Sequence, residues 1–162
     1  MKPLEPRLAP SYISELFLYD PSTGLVTRKT SRGPCRAGSI VAGDYVKIDG
    51  YSYVLARVVW CLHYNEWPPT DMLVDHENRI HGDNKIGNLR LATYSQNSFN
   101  QGARAIYAKG VYRRDRNIRP WAARIMVNGK SIELGSYLTH DGAAEAYRQA
   151  ALKHHGEFAC LK

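Results

Sequence analysis

The sequence predicts an α+β fold in two domains, residues 11–101 and 106–162. Three observations predict it. Short stretches alternate apolar and polar residues and are joined by strong hairpin signals, Asp49-Gly50 and Asn128-Gly129, the pattern of antiparallel ribbons. Other segments change to a helical period and end in stop signals. Charge is also uneven: residues 1–103 carry 11 Lys/Arg against 10 Asp/Glu, whereas residues 104–162 carry 11 against 5. The change in charge and pattern places a boundary near 101–106.

Composition narrows the class. Apolar residues make up 44% and charged residues 23% of 162 positions, which describes a globular chain rather than a disordered one. The three cysteines, Cys35, Cys61 and Cys160, form no Cys-x-x-Cys pair and are odd in number, so reduced thiols are expected rather than a disulfide framework. The N-terminal residues lack an apolar core of signal-peptide length, and no apolar run approaches the ~20 residues of a membrane span. The expectation is a soluble protein of the cytoplasm with no membrane partner. A basic last third points to a polyanionic partner; the alternative is a soluble protein that is simply basic.

Taken in order, residues 1–10 carry Pro3, Pro6 and Pro10 and read as an extended arm. Ser11 to Leu18 reads as a short helix with Ser11 as cap and Ile13, Leu16 and Phe17 on one face. Tyr19 to Gly24 reads as a turn, Leu25 to Arg28 as a strand, and Thr30 to Gly38 as a basic loop. Asp44 to Asp49, with Tyr45, Val46 and Ile48 buried, and Tyr51 to Leu55 form a hairpin about Asp49-Gly50. Ala56 to Glu66 turns helical, with Val59, Leu62 and His63 on one face, and Trp67-Pro68-Pro69 ends it.

The next stretch, Leu73 to Asn100, carries the chemistry. Met72-Leu73-Val74 delivers Asp75 and His76 side by side. A polar loop follows from Glu77 to Gly87, then a short strand, Asn88 to Leu91. Thr93 reads as the cap of a helix, with Gln96 completing a capping box and Asn97 one turn in. A carboxylate, an imidazole and two carboxamides suit a hard divalent metal and a general base. Histidine titrates near ~6.5, so a neutral ring can accept a proton at pH 7. Taken singly, His76 reads more often as structural, Asp75 as a solvated carboxylate, and Asn88 and Asn97 as turn and helix-surface residues.

After a short linker at 101–105 come three strand segments, Lys109 to Arg113, Trp121 to Val127 and Lys130 to Leu134. A helix capped by Thr139 runs to about His155, with Gly156 as its stop. Ala143, Tyr147, Ala150 and Ala151 share one face, small enough for close approach to a sheet.

As a joint pattern, Asp75-His76, eleven residues, Asn88-Leu89-Arg90, then Thr93-x-x-x-Asn97 resembles the HNH endonuclease motif in its Asn variant. Upstream, E-L-F-L-Y-D-P-S-T-G-L-V-T-R-K at 15–29, the Asp49-Gly50 hairpin, R-V-V-W at 57–60 and N-E-W-P at 65–68 resemble phage and intron-encoded HNH endonucleases. The resemblance implies a ββα-metal site in a metal-dependent DNA endonuclease of homing type. Asp75 and Asn97 would bind one divalent cation, Mg²⁺ with Mn²⁺ as the alternative. His76 would be the general base and Asn88 would hold its ring. Arg57 is expected on DNA, since relatives often carry His-Arg where this chain has Ala56-Arg57. His81 reads as a substitute donor or a surface histidine, and Asn84 and Asn100 as phosphate contacts or backbone partners.

The C-terminal segments K-G-V-Y-R-R at 109–114, P-W-A-A-R-I at 120–125, I-E-L-G-S-Y at 132–137 and T-H-D-G-A-A-E-A-Y at 139–147 resemble the Apetala/ethylene-response-factor DNA-binding domain. That family folds as a three-stranded antiparallel sheet on one helix and reads the major groove. The positions carried over are Lys109, Tyr112, Arg114, Trp121 and Arg124, with Trp121 alternatively a core residue. Arg113, Arg116 and Arg119 read as phosphate contacts or a solvated loop. Glu133 stands where relatives have Trp, so base preference should differ.

The partner these resemblances imply is double-stranded DNA in a bacterial or phage-infected cell; the oligomeric state is left open, with a monomer favoured over a dimer. The rival reading is a non-catalytic DNA-binding regulator with a decayed nuclease half, which Ala56 favours and the complete set Asp75, His76, Asn88 and Asn97 opposes.

Overall fold

A computed structural model describes residues 8–103, 106–114 and 118–161. The arm at 1–7 and Arg116 lie outside the described residues. Two compact units are present, Met1–Tyr94 and Ser95–Lys162. The division runs ahead of the expected linker at 101–106. Among the described residues, no helix is long and apolar enough to cross a membrane.

The first unit is built from ribbons around one helix. Helix α1 (Pro10–Leu16) leads directly into β1 (Phe17–Asp20), which pairs antiparallel with β2 (Leu25–Arg28). A second ribbon joins β3 (Tyr45–Ile48) to β4 (Tyr51–Val54), and a third joins β5 (Leu73–His76) to β6 (Leu89–Ala92). Isolated two-stranded ribbons are marginal in water. Helix α2 (Leu55–Tyr64) gives them a common apolar surface, packing against α1, β1, β4 and β5. Its Val58, Val59 and Cys61 are fully buried with Ile13 and Val26 in one core. Burial pushes the Cys61 thiol up to about 11; all three cysteines are free thiols.

Several expectations are corrected here. Pro10, not Ser11, opens α1, after Ala9 as N-cap; proline's fixed φ suits a first turn, where its missing N–H costs nothing. The 17–20 segment is a strand rather than a helix end and turn. Phe17 enters the core while the chain pairs with β2. Tyr45 is exposed, because β3 alternates and spends Val46 and Ile48 on the core. His63 is also exposed and rests edge-on against Tyr19 and Tyr64. Asn65, in the left-handed region at φ 55°, stops α2 before the prolines are reached. At the hairpin, Asp49 and Gly50 have φ of 49° and 85°, the two positive values of the tightest ribbon turn.

The second unit begins with α3 (Tyr94–Asn100), whose first residue closes the first unit. Strands β7 (Val111–Arg113), β8 (Trp121–Val127) and β9 (Lys130–Tyr137) form an antiparallel sheet in the order β7-β8-β9. Helix α4 (His140–His155) packs on it. Thr139 caps α4, its Oγ1 accepting from the Gly142 N–H at 3.1 Å. Val111, Ala123 and Ile125 of the sheet meet Ala143, Ala144, Tyr147, Ala150 and Ala151 of the helix. The three-stranded sheet on one helix agrees with the architecture expected of this part, with β9 three residues longer than expected.

Candidate active site

Register builds the site before any side-chain argument is needed. In the β5–β6 ribbon, Asp75 lies opposite Arg90 and His76 opposite Leu89. Opposed residues share a face and consecutive residues do not. Asp75 therefore faces Arg90, and Arg90 Nε donates to its Oδ2 at 3.1 Å. Both are largely withdrawn from solvent, with Asp75 6% exposed. A charge so buried demands a partner, and Arg90 supplies one from the next strand.

His76 turns to the other face. Its Nε2 lies 3.0 Å from Asn84 Oδ1. A carboxamide oxygen only accepts, so the contact is a hydrogen bond in the tautomer that carries the proton on Nε2. Asn84 is buried, and its main-chain carbonyl accepts from the Tyr19 hydroxyl at 2.9 Å. Burial of Tyr19 pushes that phenol up to about 12. Behind the loop, Gly24 has φ +77°, and a Cβ there would stand 2.6 Å from the Lys85 nitrogen and 2.8 Å from the Asn84 carbonyl carbon. The β1–β2 turn thus presses on the segment that presents Asn84. The His81 ring stacks on His76 with centroids 5.6 Å apart and planes 13° from parallel.

Asn88 has a different task from the one expected. Its Nδ2 donates to the Asp83 carbonyl at 2.7 Å and to Asn78 Oδ1 at 3.0 Å, and its Oδ1 accepts from the Asn78 N–H at 3.0 Å. It sits at the end of a short 3-10 turn, Ile86–Asn88, facing back into the loop. Asn88 pins the loop, and Asn84 on that loop holds the ring. No spacing rule would have found Asn84, because side-chain-to-main-chain bonds set the loop path.

Arg57 is corrected more sharply. It was expected on DNA, yet it is 9% exposed, and it donates from Nη1 to the Met72 carbonyl at 2.9 Å and from Nη2 to the Pro68 carbonyl at 3.0 Å. Desolvation pulls its pKa down from the ordinary arginine value. Its work is to fasten the segment that enters β5. Ala56 beside it is part of the core.

In the second unit, Asn97 is half-buried on α3. Lys109, also expected on DNA, instead donates from Nζ to the carbonyls of Ser98, Phe99 and Gln101 at 3.2, 2.6 and 2.5 Å. The last carbonyls of a helix lack partners of their own, and an ammonium satisfies them well. Across the sheet, Glu133 Oε2 accepts from the Tyr112 hydroxyl at 2.6 Å and from Arg114 Nη2 at 2.9 Å. The guanidinium carbons of Arg114 and Arg124 each lie 5.3 Å from the Tyr112 ring centre. Trp121 is half-buried, edge-on to both Tyr107 and His140 and packed against the core. Arg113 lies over its ring at 6.0 Å, and Arg119 is exposed.

Residues 53–99 match the family described as HNH endonuclease. The matched segment starts in β4 and takes in α2, the β5–β6 ribbon with its loop, and α3 through Phe99. An uncharacterized HNH endonuclease of Acanthamoeba polyphaga mimivirus is 35% identical over 118 residues, covering 73% of this chain. The match spans 62% of that relative's length. No solved structure matches the chain.

Asp75 and Asn97 offer a carboxylate and a carboxamide oxygen, hard donors of the kind Mg²⁺ takes together with several waters. Among the described residues no group of three or more His, Cys, Asp or Glu could hold a metal ion; Asn97 falls outside those residue types.

Proposed function

We propose that the protein is a metal-dependent, site-specific DNA endonuclease of homing type. The observation that carries this reading is His76: its Nε2 is held by buried Asn84 at 3.0 Å, at the end of the strand that also presents Asp75, inside the segment that matches HNH endonucleases. His76 takes the proton of the attacking water, and Asn84 orients its ring. Asp75 and Asn97 would hold the divalent cation, Mg²⁺ or Mn²⁺, whose charge would stabilise the scissile phosphate and the leaving 3′ oxygen. Arg90 keeps the Asp75 side chain in place through the ion pair.

The C-terminal sheet supplies anchorage. Its resemblance to the Apetala/ethylene-response-factor domain, the surplus of six positive charges over residues 104–162 and the Tyr112, Arg114 and Arg124 cluster support a double-stranded DNA partner. An arginine can bond guanine with two hydrogen bonds. One such centre attacks one phosphate, so a monomer would nick and a dimer could cut both strands.

The test is purified full-length protein on DNA taken from either side of its own gene. Cleavage that requires Mg²⁺ or Mn²⁺ and stops with EDTA supports the reading. Tight binding without cleavage under either metal would replace it with the non-catalytic regulator.

A further inference from the structure

We infer that Lys109 and His155, both in the C-terminal unit, are positioning residues for α3, the helix that carries Asn97. The inference rests on the reading of Asn97 as a metal ligand.

Three observations carry it. A helix of seven residues is too short to stand by itself, and α3 has that length. Its C-terminal carbonyls are gathered by one side chain: the Lys109 ammonium donates to Ser98, Phe99 and Gln101. The positive charge also opposes the negative end of the helix dipole. On the neighbouring face, the Phe99 ring stacks on His155 with centroids 3.7 Å apart and planes within 5°. His155 is fixed in turn at the end of α4, its Nε2 lying 2.8 Å from the Met126 carbonyl of β8. Ser98 and Phe99 are one and two residues beyond Asn97, and Asn100 is buried. The turn bearing Asn97 is therefore clamped from its C-terminal side by the sheet-and-helix unit. Groups that orient a metal ligand govern metal affinity without touching the metal.

Lys109→Met removes the ammonium and keeps the stem; Lys109→Arg keeps donors; His155→Gln keeps a donor for Met126 and loses the stack. Each is made in the full chain. Four quantities are read: amide hydrogen exchange over residues 95–101, Mn²⁺ affinity without DNA, the Mg²⁺ concentration for half-maximal cleavage, and DNA affinity in EDTA. For Lys109→Met and His155→Gln we expect faster exchange in 95–101. Mn²⁺ affinity should fall, and the Mg²⁺ requirement should rise, by roughly tenfold or more, with DNA affinity in EDTA unchanged. Lys109→Arg should recover most of the loss. Weakened DNA binding and a shallower salt dependence, with an unaltered metal requirement, would make Lys109 a phosphate contact and overturn the inference. Faster exchange without any change in metal affinity would reduce both residues to structural supports and overturn it too. A wild-type protein that neither binds Mn²⁺ nor cleaves would overturn the nuclease reading itself. That outcome is recognised in the wild type, before any variant is compared.

Discussion

Asn84 Oδ1 stands 3.0 Å from His76 Nε2, while Asn84's main-chain oxygen is held by the Tyr19 hydroxyl from a different ribbon. One residue thereby connects the imidazole at the end of β5 to the hairpin at the start of the chain. Because the side chain serves the ring and the main chain serves the scaffold, the two functions separate under mutation. Asn84→Ala should slow single-turnover cleavage by roughly tenfold to a hundredfold and leave DNA affinity unchanged. Retention of full rate would remove Asn84 from the site.

The same scaffold is exposed to a one-carbon change. Gly24→Ala would place a methyl group 2.6 Å from the Lys85 nitrogen at φ +77°. Both the positive φ and the backbone clash act against it, and destabilisation of about 2 kcal/mol or more is expected in urea unfolding. Cleavage should fall with it, since the displaced segment is the one presenting Asn84. A variant as stable as the parent would contradict the packing described for that turn.

Arg57 separates a structural role from a DNA contact. Arg57→Met keeps the apolar stem and strips the hydrogen bonds to Met72 and Pro68. Stability should drop by about 2–3 kcal/mol, the cost of leaving buried carbonyls unsatisfied. The salt dependence of DNA binding should not move. A slope reduced by about one phosphate contact, with stability intact, would return Arg57 to the DNA surface.

On the C-terminal sheet, Glu133 holds Tyr112 and Arg114 by one carboxylate oxygen. Glu133→Gln removes a negative charge from that face and loosens Arg114. Binding to DNA of unrelated sequence should strengthen and its salt dependence steepen, since Arg114 becomes available to phosphate. Arg124→Ala should do the reverse. Measured salt titrations that do not distinguish the two variants would exclude this face from DNA contact.

Much of the fold was legible because its signals are local. Asp49-Gly50 and Asn128-Gly129 announce their hairpins, and Thr139 and Gly156 bracket α4. Alternation marked β6. What stayed hidden depends on distant partners. Residues 17–20 carry no strand signal of their own and become β1 by pairing with β2. Arg57 resembles a surface arginine until the chain folds Pro68 and Met72 around its guanidinium. Lys109 was grouped with the strand it precedes, yet its hydrogen bonds run back to α3. At the site, sequence order presented Asp75 and His76 together but not Arg90 as the Asp75 partner, which only the ribbon register supplies. Asn88 and Asn84 exchanged expected roles for the same reason: loop geometry, not spacing, decides which carboxamide meets the ring.

In the proposed reaction His76 activates water for DNA hydrolysis. His76→Ala decides it, with cleavage under Mg²⁺ and equilibrium DNA binding in EDTA measured on the same preparation. Cleavage should fall by at least about a hundredfold with binding unchanged. Cleavage at the parental rate with binding intact would contradict it.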